Sequence, residues 1–236
     1  MSFGRSDGDE YVFWKGTPDC QTAHDAVLEW ITGLTESNFL SSASEINTNV
    51  VGSLGETITA MIGINEEWGI KMFAANALTP LALQSKSEID IVWVYFGPDE
   101  RDDFIVVQEV KCTLQNKVDY GLDLAKDIEK LYGFPARLNL PSRLRGIKAK
   151  LEFEQGASEL CPRLQRLVRA APSTDTKVRV VGTLVHDGNS EDPLPVLTTV
   201  RSRALGLGWG EDSVACWSVS MEDLKDRFDR LAVGAK

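Results

Sequence analysis

A chain of 236 residues with a formal net charge of −10 has room for one large domain or two small ones, and it is too acidic to coat nucleic acid with its whole surface. Its composition, 43% hydrophobic and 25% charged, is that of an ordinary soluble globular protein, and no apolar stretch approaches the roughly 20 residues of a membrane helix. The polar start Met1–Glu10 predicts no secretory leader. Cys20, Cys112, Cys161 and Cys216 are scattered without a C-x-x-C pair, which predicts neither a zinc knuckle nor a disulfide framework and fits a reducing cytoplasm. His24 and His186 form no ligand pair and read as surface or internally satisfied histidines.

In chain order, residues 22–34 predict a helix, with Ala26, Val27, Trp30, Ile31 and Leu34 on its apolar side. The Ser/Asn-rich span 41–49 predicts a loop. A helix from about Ser53 to Glu66 carries Glu56, and a strand is expected near Gly69–Ala75. Two apolar strands follow, Ser87–Phe96 and Phe104–Lys111, joined by the polar turn Gly97–Asp103. Residues 119–131 predict an amphipathic helix with Leu122, Ala125, Ile128 and Leu131 on one face. Two helical stretches are expected at about 142–154 and 158–170, then a strong strand at Lys177–Val185. Weaker strands are expected at Pro195–Thr199 and Ser213–Ser218, and a last helix at about Met221–Leu231. The run Gly206–Gly210 lacks the Lys-Ser/Thr of a phosphate loop and predicts a flexible turn. Trp30 and Trp93 read as core, whereas Trp14, Trp68, Trp209 and Trp217 stay open between core and base stacking.

The chemistry lies in the paired strands. Asp90 sits among Ile89, Ile91 and Val92, and Glu109 and Lys111 flank Val110 behind Ile105-Val106-Val107. An unpaired charge is expensive to bury, so such residues have partners, a metal or a task. Strand alternation puts Glu109 and Lys111 on one face. Partners across the hairpin sum to about 200, which sets Asp90 opposite Val110 or Glu109. Opposite Glu109, the two carboxylates repel unless a cation lies between them, and Mg²⁺ takes such oxygen ligands. Glu88 is the reserve carboxylate if the register shifts. Gln108 points the other way and reads as structural, or bonded across to a helix. Lys86 and Thr113, at the strand ends, are minor phosphate-contact candidates.

The spacing D-x18-E-x-K, from Asp90 to Glu109 and Lys111, resembles the PD-(D/E)XK nuclease superfamily, with Glu56 as the upstream helical acid. Ile89 stands where the motif name has proline. Gln115 and Tyr120 are wrongly spaced for a Q-x3-Y element. The resemblance spans roughly residues 53–185. It implies an α/β fold with a restriction-endonuclease-like αβββαβ core, a mixed central sheet flanked by helices, plus a helical insert and a C-terminal extension. On that plan residues 1–52 are an N-terminal extension, 53–185 the core with a basic insert at 133–170, and 186–236 an extension packed on it, all in one domain. The resemblance also implies a metal-dependent nuclease with catalytic residues Glu56, Asp90, Glu109 and Lys111. Mg²⁺ or Mn²⁺ would be held by Asp90, Glu109 and the Val110 carbonyl. Glu56 would complete the shell or hold a second ion, and Lys111 would orient or activate the attacking water.

The insert between Gly133 and Ala170 holds eight basic residues (Arg137, Arg143, Arg145, Lys148, Lys150, Arg163, Arg166 and Arg169) against three acids. One reading is a phosphate-gripping arm overhanging the site, chiefly through Arg137, Arg143, Arg145, Lys148 and Lys150. The other is a pair of solvated helix faces, or a dock for an acidic partner. With the rest of the chain acidic, DNA would be held weakly. The resemblance therefore implies delivery by a helicase or ATPase subunit, as in prokaryotic restriction or antiviral defence. The alternative is a catalytically silent nuclease-fold subunit that binds nucleic acid or a partner protein.

Overall fold

The computed structural model describes residues 11–16, 48–65, 89–144, 158–170 and 177–226. Its centre is a five-stranded mixed sheet in the order β1-β5-β4-β3-β2. The strands are β1 (Tyr11–Gly16), β2 (Ile91–Tyr95), β3 (Phe104–Cys112), β4 (Val178–Asp187) and β5 (Val214–Met221). β2 is antiparallel to β3, whereas β3, β4, β5 and β1 run parallel. The helices are α1 (Thr48–Asn65), α2 (Leu122–Tyr132), the single turn α3 (Leu140–Arg143), α4 (Cys161–Ala170) and α5 (Leu194–Gly206). The protein is thus mixed α/β, with helices flanking a mixed sheet. No helix among the described residues is long and apolar enough to cross a membrane.

The strand order explains where the helices sit. The chain steps from β3 to β4 to β5 in one direction, and right-handed crossovers then carry α2 and α5 over the same face. That face buries Ile105 and Val107 of β3, Val180 and Leu184 of β4, and Leu124, Ile128, Leu197 and Val200 of the two helices. α1 covers the opposite face, where Ile58 and Ile62 meet Trp93, Val110, Cys112 and Val185. With both faces covered, β3 and β4 are apolar almost throughout, as parallel strands require.

Several expectations shift. α1 begins at Thr48, inside the expected loop and earlier than Ser53. β2 begins at Ile91, so Asp90 stands at the lip of the strand instead of within it. On α2 the buried side chains are Leu124, Ala125, Ile128, Leu131 and Tyr132, and Leu122 is exposed. The expected strand Pro195–Thr199 is helical, part of α5. Its β-branched run misleads, because the Thr198 and Thr199 hydroxyls donate to the carbonyls of Leu194 and Pro195 at 2.8 and 3.1 Å. Val196, Leu197, Val200 and Ala204 then form one buried helical stripe, so packing overrides propensity. The span 186–236 contributes more than a packed extension, since β5 is hydrogen-bonded between β4 and β1. Met221 closes β5, and a helical turn starts only at Leu224. Trp209, in the Gly-rich turn, is core. The expected elements at 22–34 and 69–75, most of 142–154, and the last helix beyond Asp226 lie outside the described residues.

Candidate active site

The candidate site forms where β2 stops short. The last paired residues of the β2–β3 ladder are Ile91 and Gln108, which puts Asp90 opposite Glu109. Gln108 anchors this end of the ladder, but to neighbouring strands and not to a helix. It accepts from Trp93 Nε1 at 2.5 Å and donates to Thr183 Oγ1 at 2.6 Å. Odd-numbered β3 residues hydrogen-bond toward β4, as Ile105 N–H does to Lys177 O and Thr113 N–H to Val185 O. Val110 therefore turns its N–H and its carbonyl to the edge that β2 has left. Asp90 fills that edge, its Oδ2 accepting from Val110 N–H at 2.8 Å.

Glu109 is buried, 3% exposed. Its Oε1 accepts from the Tyr132 hydroxyl, and the Asp90 carboxyl lies beside it. Burial, with the Asp90 charge beside it, holds Glu109 well above the carboxylate range. Burial raises Asp90 as well, against the lowering effect of the Val110 N–H. Lys111 forms an ion pair with Asp127 of α2 at 2.5 Å. Its burial disfavours the charge, but the Asp127 bond and charge outweigh that and raise its pKa. The group is a fixed cation, and this favours orienting water or phosphate over deprotonating water.

Glu56 reaches the site from the other face. Gly55 lets α1 approach β3 closely, since a Cβ there would lie 2.5 Å from Cys112 Cβ. The next residue is thereby carried to the sheet margin, where Glu56 feels the charges of Asp90 and Lys111. Burial, and next Asp90, push its pKa up to about 8. Glu56, Asp90, Glu109 and Lys111 thus come together although they span more than 50 residues.

Three carboxyls with raised pKa values form a site short of positive charge. Among the described residues, no group of three or more His, Cys, Asp or Glu side chains is arranged as a ready metal site. Mg²⁺ does not need one, since it takes one or two carboxylates and fills its shell with water and other oxygens. Asp90, Glu109 and the Val110 carbonyl are such a donor set, and they fit a hard divalent cation.

Asp127 and Tyr132 were not among the residues singled out from the sequence. The signal was slight: both border the apolar stripe of α2, and Tyr132 lies one residue beyond the expected helix end. Thr113 is buried near the end of β3, its Oγ1 accepting from Gln115 N–H at 3.1 Å. His186 is internally satisfied, with ring nitrogens 2.8 Å from Asp187 O and from Ser218 Oγ.

The basic insert divides. Arg163 bonds Asp103 through two nitrogens and donates to Gly97 O at 2.7 Å, and Arg166 pairs with Glu100 at 2.5 Å. Both therefore clamp the acidic hairpin turn. That turn precedes β3, so α4 docks about 20 Å along the strand from Glu109 and does not overhang it. Arg137 folds onto Leu207 O at 3.4 Å. Arg145, Lys148, Lys150 and the Arg143 side chain, with Lys86 and Glu88, lie outside the described residues. No protein-family model matches this chain, and no curated protein matches it.

Proposed function

We propose that this protein is a divalent-metal-dependent nuclease of the PD-(D/E)XK type, acting on DNA. The observation that carries the reading is the convergence of Asp90, Glu109 and Lys111 at one sheet margin, with Glu56 arriving from the opposite face. The fold supports it: α1, the β2–β3 hairpin, α2 and a parallel β4 follow the order of a restriction-endonuclease-like core. The first strand of that core would be residues 69–75, outside the described residues.

Asp90, Glu109 and the Val110 carbonyl would hold Mg²⁺ or Mn²⁺, with Glu56 bound through water or to a second ion. When bound, the ion would neutralise charge developing on the phosphodiester. Lys111, kept charged by Asp127, orients the attacking water against the phosphate. Tyr132 fixes the rotamer of Glu109, and Glu56, raised to about 8 by burial and Asp90 in the metal-free site, is a carboxyl that an arriving cation would ionise. The remaining acidity favours delivery by a DNA-translocating helicase or ATPase in a cytoplasmic defence or restriction system, with Arg143, Arg145, Lys148 and Lys150 of the insert as phosphate contacts.

The test is cleavage of single- and double-stranded DNA with Mg²⁺ or Mn²⁺ by wild type, Glu109→Ala and Lys111→Ala. Equal activity in all three sinks the assignment. One observation favours a silent binding subunit instead: Lys111 is engaged by Asp127 and Glu109 by Tyr132. Mn²⁺ binding lost in Asp90→Asn and Glu109→Gln decides against that second reading.

A further inference from the structure

We infer that α2 is the positioning element of this centre, with Asp127 holding Lys111 away from the carboxylates and Tyr132 holding Glu109 toward the margin. The inference rests on the nuclease reading, and its geometry is on the page. Glu109 and Lys111 are two residues apart on β3, about 6.6 Å. Asp127 and Tyr132 are five apart on α2, about 7.5 Å. As the crossover helix to a parallel strand, α2 runs back against β3. The later helix residue therefore meets the earlier strand residue, and the matched lengths let both contacts form together.

Each contact has a distinct effect. The Lys111 ammonium lies beside Asp90 and Glu109, and the Asp90 charge attracts it. Left to itself it would settle between them, where a divalent cation belongs. Asp127 offers it a nearer carboxylate at 2.5 Å. That ion pair is only partly buried, with side chains 22% and 30% exposed, so on stability grounds alone it is worth little. Its effect is to keep the ammonium at the rim, open to phosphate and clear of the cation position. Tyr132 works from the inside. It is fully buried, its carbonyl accepts from Trp209 Nε1 at 3.3 Å, and its hydroxyl donates to Glu109. The fixed ring holds one oxygen of Glu109 and leaves the other to the margin.

The experiment uses the full chain, with Mn²⁺ calorimetry, DNA cleavage and melting curves. Asp127→Asn should weaken Mn²⁺ binding about 10-fold or more, the usual range when a residue supporting a metal ligand is lost, and Asp127→Glu should recover most of it. Adding Lys111→Ala to Asp127→Asn should restore Mn²⁺ affinity without restoring cleavage, because the intruding ammonium is gone. Tyr132→Phe keeps the ring in the core, and should weaken Mn²⁺ binding in a way that Lys111→Ala does not relieve. An Asp127→Asn protein that binds Mn²⁺ as well as wild type, or a double variant as weak as the single, overturns the inference. If wild type binds Mn²⁺ through Asp90 and Glu109 but cuts no DNA, the nuclease reading fails and the affinities alone judge the positioning role. If wild type binds no Mn²⁺, both fall.

Discussion

Asp90 Oδ2 accepts the Val110 N–H at 2.8 Å, closing the edge of β3 just beyond the last residue that β2 pairs. The carboxylate therefore has a structural role as well as its proposed ligand role, and two substitutions separate them. Asparagine can still accept from Val110, so Asp90→Asn should melt within a few degrees of wild type while losing Mn²⁺ binding. Asp90→Ala strands a partly buried amide and should cost a further ~1–3 kcal/mol, measured by denaturant unfolding without metal. Equal stability of the two variants would count against the edge-closing role.

Glu56 makes the metal-free protein sensitive to pH. Its pKa rises from 4.5 to about 8 on folding, through burial and then Asp90. Across that window the folded protein keeps a proton that the unfolded chain has released. Stability therefore falls as pH rises from about 4.5 to about 8, and levels off above. Glu109 and Asp90, also raised, act with the same sign. Melting temperatures in chelator between pH 5 and 9 should decline for wild type and decline less for Glu56→Gln, with added Mn²⁺ reversing the loss at high pH. Parallel slopes for the two proteins would show that Glu56 titrates normally.

Gly55 sets how closely α1 meets β3. In an open helix, replacing glycine by alanine gains about 0.5–1 kcal/mol. Here the new Cβ would meet Cys112 Cβ at 2.5 Å, so Gly55→Ala should destabilise by about 1–3 kcal/mol and displace Glu56. Cys112→Ala retains the Cβ and should not rescue it, whereas Cys112→Gly should. Chemical denaturation of the four proteins checks the pattern.

Arg163 clamps the hairpin turn. It bonds Asp103, whose side chain is 3% exposed and also accepts from Gly97 N–H at 3.0 Å. Arg163→Ala leaves that carboxylate buried and unpaired. Because Arg163 itself keeps 18% of its side-chain surface, the cost should fall near 2–3 kcal/mol. DNA affinity, measured below the melting transition, should stay within about twofold, since no phosphate contact is removed. A marked drop in affinity at unchanged stability would return Arg163 to the phosphate arm.

The hairpin was legible because its charges interrupt apolar runs and because parity alone puts Glu109 and Lys111 on one face. Its register was legible only to within one residue, since turn geometry decides it, and the 3₁₀ turn Glu100–Asp102 could not be read from Gly97–Asp103. Asp127 and Tyr132 stayed hidden for another reason. Which residue beside a helical stripe touches a strand depends on how the helix crosses it, and that angle is a property of packing. α5 was misread because Val196, Thr198, Thr199 and Val200 favour strands individually, and only burial against β4 and β5 reverses the preference. Arg163 and Arg166 looked free because charge counts ignore the acids Glu100 and Asp103, some 60 residues earlier, to which they fold.

β1, near the start of the chain, has β5 as its only partner in the sheet among the described residues. On the ribosome the two strands emerge about 200 residues apart, which at ordinary synthesis speeds is roughly 10–40 s. Among the described residues β1 has no strand to pair with until β5 emerges, whereas β2, β3 and β4 have all emerged by residue 187. The sheet margin that carries the candidate site can therefore assemble before the opposite margin exists.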